Sequence, residues 1–262
     1  DDEPVAVTIK TLAGDVIRTL STQPDQEVSP GASALLVHTG HNRIVWNLRH
    51  ENIPNIPGAY VFGSLQGRRV IPGDYVVELS VGDWRVEEAL TIRKDPRVET
   101  TLQEYVEQDQ FVAQVAAELS AIHRNVSRNN DVKGQIETFL DRVGDGVGAG
   151  PVTEQGELLA QELENVADSL YQRRVVDGQT VINFPSRLKF QYVFLHGNAD
   201  GAETGVSMGS REVLSDLRAR WTVHRAISDE LLGPRLDAFN RLIQEAGFSI
   251  IIAPPRLRRP VS

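Results

Sequence analysis

The period at which apolar residues recur changes once along this 262-residue chain, around "TIRKDPRVETTLQEYV". Before that point apolar and polar residues alternate; after it, apolar residues recur every three or four positions. One regular element cannot satisfy both patterns, because a strand changes face at each residue while a helix returns to a face after about 3.6 residues. The chain therefore reads as a strand module over 1–98, a helical module over 99–253 and a basic Pro/Arg tail over 254–262. The fold class expected is α+β in two parts: an antiparallel β-sandwich followed by an antiparallel α-helical bundle.

Within the first part, "VAVTIKTL" places Val5, Val7 and Ile9 on one face, "GDVIRTL" supplies a turn and a second strand, and "NRIVWNL" a later strand with Ile44, Trp46 and Leu48 in phase. The alternation is sharpest in "PGDYVVELSVGDWRVEEALTI". There Tyr75, Val77, Leu79 and Val81 run along one strand, Gly82-Asp83 turns, and Trp84, Val86, Leu90 and Ile92 return. The pattern predicts a hairpin closing a sandwich whose core holds Trp46, Tyr75 and Trp84.

Thr101-x-x-Glu104 is a capping-box pattern at the switch. Beyond it Phe111, Val115, Leu119, Ile122 and Val126, then Val132, Ile136, Phe139 and Val143, form one stripe, which predicts a long helix over about 101–143, bent near Asn129–Gly134. The glycine-rich run 144–151, "GDGVGAGP", is read as a hinge. A phosphate-binding loop would need a strand before it and Lys-Ser/Thr after it. Further helices are expected over about 154–174, 185–197 and 210–246, the last nicked at Pro234. Each has one apolar stripe, so the helices must cover one another.

Composition removes several classes of chemistry. The chain has no cysteine, which excludes disulfides, thiolate metal sites and cysteine nucleophiles. Its net charge of -9 is spread over both parts, with 10 basic and 13 acidic residues up to Val98 and 17 and 23 beyond, so neither is suited to nucleic acid. The longest apolar run, "FSIIIAPP", is too short to span a bilayer. The first residue is Asp and no charged-then-apolar leader follows it, so the sequence is read as a processed chain or a fragment.

Candidate catalytic and metal-binding groups are sparse. Glu87 and Glu88 are adjacent on a strand and point to opposite faces, unlike a glycosidase pair; Asp229 and Glu230 belong to the charged side of a helix. The six histidines show no HExxH spacing, and His38 and His41 flank a turn. "HGNADGAETG", residues 196–205, offers Asn198, Asp200 and Glu203 but lacks the spacing of a calcium loop and is read as an interhelical loop. No Gly-x-Ser-x-Gly occurs, and the "NVS" at Asn125 falls within the expected long helix. No catalytic residue, cofactor or metal is assigned.

The segments "VTIKTLAGDVIRTL", "GHNRIVWNLR", "VIPGDYVVELSVGD" and "TIRKDPR" resemble the module that follows the β-propeller in large bacterial proteins of the sortilin-type, BNR-repeat kind, many of them glycosyl hydrolase-like or photosystem-assembly-factor-like. They also resemble the immunoglobulin-like domain of flagellar hook-capping proteins. "LSAIHRNVSRNNDVKGQIETFLDRV", "SLYQRRVVDGQ", "INFPSRLKFQY" and "LDAFNRLIQEAG" are similar to the C-terminal bundle of the same propeller proteins, in the same order. The resemblance implies an Ig/FnIII-like sandwich and a bundle attached to exported, periplasmic or extracellular proteins. It implies no catalytic residues, and the propeller has no counterpart in this sequence.

The function expected is that of a non-catalytic structural or interaction subunit that docks onto a larger assembly. Its partner would be a protein, such as a membrane-anchored complex or its own upstream propeller. The alternative is an accessory region of an exported propeller enzyme whose chemistry lies upstream. The candidate interaction surface is the charged side of the long helix, with Glu104, Glu107, Glu118, Arg124, Arg128 and Lys133, together with Arg256, Arg258 and Arg259 of the tail.

Overall fold

A computed structural model of the chain describes residues 3–25, 32–144 and 149–248. Four strands, β1 (Val5–Thr11), β2 (Val16–Ser21), β3 (Gly73–Val81) and β4 (Trp84–Ile92), form one antiparallel sheet in the order β2-β1-β3-β4. The β3–β4 hairpin turns at Gly82-Asp83 as the sequence predicts, with Gly82 at φ 55°. Val7, Ile9, Tyr75, Val77, Leu90 and Ile92 form the apolar face. The opposite face is polar: Lys10 Nζ lies 2.6 Å from Glu78 and 3.3 Å from Glu87. A β-bulge pairs Ile9 with Arg18 but Lys10 with Val16, so Ile17 is the extra residue, and it joins the buried side.

Among the described residues this sheet has no second sheet against it, so the two-layer sandwich is not what covers the strands. The irregular segment 32–72 does, through Trp46 and Val70. "NRIVWNL" is not a strand, because Leu48 takes φ 57° and breaks the extended phase. The Trp46 indole N–H donates to the Arg49 carbonyl (2.9 Å) and locks this turn. Cover stops short of the hairpin tip: Trp84 is 56 % exposed, contrary to its expected place in the core.

The helical part comprises α1 (Leu102–Val143), α2 (Ala149–Leu170), α3 (Leu188–Gly201), α4 (Met208–Glu230) and α5 (Leu236–Glu245). Thr101 caps α1 with the expected box: its hydroxyl accepts from the Glu104 N–H (3.2 Å) and its own N–H donates to the Glu104 carboxylate (2.7 Å). α1 runs without interruption through Asn129–Gly134. The wall of α1 is wider than its apolar stripe, because His123, Asn125 and Asn129 are buried beside Val115, Leu119, Ile122 and Val126. Ser228 of α4 satisfies two of these groups, accepting from Asn129 Nδ2 (2.7 Å) and donating to Asn125 Oδ1 (2.9 Å). α4 passes into α5 through a π turn, Leu231–Arg235, whose wider winding accommodates Pro234. Of the run 144–151, Gly144 caps α1 and 149–151 open α2; residues 145–148 lie outside the described residues.

The packing does not divide at residue 98. Ile53 and Ile56 belong to the bundle core, with Ala59, Val61 and Leu65 against it. The segment 50–66 therefore joins the two parts as a wedge in the bundle. No helix among the described residues is long and apolar enough to cross a membrane.

Candidate functional site

A cleft of about 430 Å³ opens where the strand module, α1 and the C-terminal end of α3 meet. Its charged lining combines Arg49, Arg68 and Arg69 of an irregular stretch that burial elsewhere holds in place, Arg93, Lys94 and Asp95 of the link after β4, and the acids Asp109 on α1, Asp200 on α3 and Glu203 just beyond it. Arg49 and Arg69 face each other across an isolated antiparallel bridge, which delivers both to the α3 end.

Each acid is engaged. Asp200 binds the Arg49 guanidinium through one oxygen and accepts from the Arg69 backbone N–H (2.9 Å) through the other. Asp109 accepts from Arg68 Nε at 2.5 Å. Glu203 accepts from the Tyr105 hydroxyl at 2.5 Å and lies 3.9 Å from Arg69. Burial, followed by the Glu203 hydrogen bond, pushes the Tyr105 phenol up to about 12. His50 and His196 stand behind these pairs. Burial and the Arg68 charge lower His50 to about 4, and burial likewise lowers His196. Within the cleft the acids of the bundle are thus held by cations of the strand module, while Asp95 of the link bonds Arg97 (2.6 Å) and Arg93 is exposed. No cluster of three or more His, Asp or Glu placed to hold a metal ion occurs among the described residues.

The stretch 196–205, expected as a loop, is helical through Gly201, and this is what aims Asp200 at Arg49. Asn198 is exposed and takes no part. Along the expected docking face, Arg124 is exposed and Arg128 half-buried. Lys133 does not stand free: its ammonium bonds Glu137 (2.7 Å) and lies 3.9 Å from Glu164, stitching α1 to α2. Glu118 is likewise held, by Arg218 and by the Tyr192 hydroxyl, both at 2.6 Å. Arg256, Arg258 and Arg259 lie outside the described residues.

Sequence reading missed the cleft because its arginines sit in a stretch without periodicity. The one available signal was the density of Arg49, Arg68 and Arg69 in an otherwise acidic chain. No family model, curated protein or solved structure matches this chain.

Proposed function

We propose that the chain is a non-catalytic interaction module that presents the outer side of its bundle to a protein partner, with the strand module fixing its orientation. The observation that carries this reading is that the bundle's acids in the junction cleft are engaged: Asp109, Asp200 and Glu203 each already hold an arginine or a tyrosine. A carboxylate so engaged is a poor general base, and an array that crosses from one part to the other is a good brace. The link between the parts is braced as well, since Lys94 Nζ donates to the Thr100 carbonyl (2.8 Å) and the Thr100 hydroxyl to the Glu203 carbonyl. Arg124 and Glu107 of the charged face are exposed on α1.

The test is cross-linking in native cells, followed by titration of the purified chain with each purified candidate at two ionic strengths. The expected result is saturable binding that weakens about tenfold from 50 to 300 mM salt, and weakens again for Arg124→Glu but not for a His38→Ala/His41→Ala control. Failure of every purified candidate to bind, or loss of binding in the control with retention in Arg124→Glu, overturns the reading.

A further inference from the structure

A second cavity, about 210 Å³, lies away from the cleft, between the loop around Tyr60, the segment 171–187 and the start of α3. Its walls are aromatic: Tyr60, Phe62, Tyr171, Phe184 and Phe190, with Phe62 and Phe190 stacked at 5.9 Å between centroids. The loop can close this tightly on α3 because Gly63, at φ 117°, brings its backbone so near that a Cβ would stand 2.7 Å from Val193 Cγ1. The chain carries 36 acidic residues against 27 basic, yet no Asp or Glu lines this cavity, whereas Lys189 and Arg187 both do.

Lys189 is 5 % exposed and pairs with no carboxylate among the described residues. Its ammonium has only the Asn55 side-chain oxygen (3.0 Å), the Tyr60 carbonyl (3.3 Å) and the Tyr171 ring (5.4 Å). Arg187 Nε is buried with no hydrogen-bond partner among the described residues. Arg187 is also the N-cap residue of α3 and makes no side-chain cap, so the positive end of the helix dipole opens here uncapped. A buried cation is ordinarily paired, because desolvation without a counter-charge is costly. Here two cations and a helix N-terminus meet at an apolar cavity whose lining holds no carboxylate.

We propose that this cavity binds a small monocarboxylate with an aromatic or short aliphatic body, its carboxylate on Lys189 and Arg187 and its apolar body between the aromatic walls. Size sets the class: the cavity is below the ~300 Å³ at which pockets for drug-sized ligands begin, so a single ring or a short chain fits. The apolar walls discriminate against inorganic anions, and the paired cations against neutral analogues. This site is independent of the docking surface above, and either can fail without the other.

The experiment is calorimetric titration of the full chain with benzoate and hexanoate as probes, and with benzamide, benzylamine and inorganic phosphate as comparisons. Benzoate is expected to bind at least tenfold more tightly than benzamide and benzylamine, and phosphate to bind more weakly than benzoate. Lys189→Met, which keeps the side-chain length and removes the charge, should weaken benzoate at least tenfold while its urea midpoint stays at or above that of the parent. If that variant does not fold, Arg187→Gln and the pH profile decide. Burial lowers the Lys189 pKa to about 8, so benzoate affinity in the parent chain should fall as pH rises from 7.5 to 9.5. Equal affinity for benzoate and benzamide, a flat pH profile, no binding of either carboxylate, or tighter binding of phosphate overturns the proposal.

Discussion

His123 sits inside α1 with Nδ1 2.5 Å from the Pro54 carbonyl, the geometry of an N–H donor, and with Nε2 buried and without an acceptor. A proton added at Nε2 would have no partner, and burial accordingly lowers the group from 6.5 to about 4; His50 is lowered to the same value. Both bases are depressed in the fold, so their neutral forms cost nothing above pH 6.5, and stability falls as the pH drops from there toward 4, where the unfolded chain takes up protons first. Between pH 7 and 5 each should remove about 2 kcal/mol of unfolding free energy. Urea titrations of the parent chain and of His123→Gln should show that the variant loses less on acidification; parallel losses would refute the assignment. Burial separates two aromatic residues of the sheet in the same way. Tyr75 is 5 % exposed with its hydroxyl donating to the Ile71 carbonyl (2.6 Å), whereas Trp84 is 56 % exposed. Tyr75→Ala should cost about 3 kcal/mol and Trp84→Ala under ~1 kcal/mol, read from the same denaturation curves; the reverse order would show that the hairpin tip is covered.

The segment 32–72 has no regular hydrogen-bond ladder, and at the scale of the element its order comes from close approach. Gly67 lies so near the 50–51 backbone that a Cβ would stand 2.1 Å from the His50 carbonyl oxygen. Its own carbonyl accepts from Arg49 (2.7 Å), and its N–H donates to Asn52 (3.3 Å). Gly67→Ala would push backbone against backbone, so the wedge carrying Ile53 and Ile56 must shift. The expected cost is at least about 2 kcal/mol, with faster hydrogen exchange at the Ile53 amide, which is bonded to the Leu65 carbonyl (2.8 Å). Parent-like exchange at that amide would mean that the wedge is held elsewhere. The π turn at Pro234 illustrates the same balance between local rule and tertiary need. Proline breaks the α ladder, but Leu231, Leu232 and Leu236 on either side are buried in the bundle, and the backbone widens to keep all three there.

At the scale of the whole molecule, the two parts are coupled by a wedge and a brace. Asp200 is the brace's central member, bonded to Arg49 and to the Arg69 N–H. Asp200→Ala would leave a half-buried arginine without its counter-charge and should cost about 3 kcal/mol. Hydrogen exchange should also speed up at the Arg69 amide, while β3 and β4 keep their protection. Asp200→Asn retains an acceptor for that amide and should fall between the two in stability. If both substitutions behave alike and leave exchange unchanged, the ion pairs do not hold the parts together.

The α+β order of elements was legible in the sequence because hydrophobic period is a local property. The stripe from Phe111 to Ile136, the Thr101–Glu104 cap and the Gly82-Asp83 hairpin turn all appear where the residues put them. Period reports the face of an element and says nothing about what covers that face. "NRIVWNL" alternates like a strand yet turns at Leu48, and Trp46 packs on the existing sheet. The same limit hid both cavities. Arg49 and Asp200 are 151 positions apart, and Lys189 and Asn55 134 apart. Nothing local marks such pairs: only the packing of α1, α3 and the 50–66 wedge decides that the first pair closes a junction and that Lys189 is buried without a carboxylate.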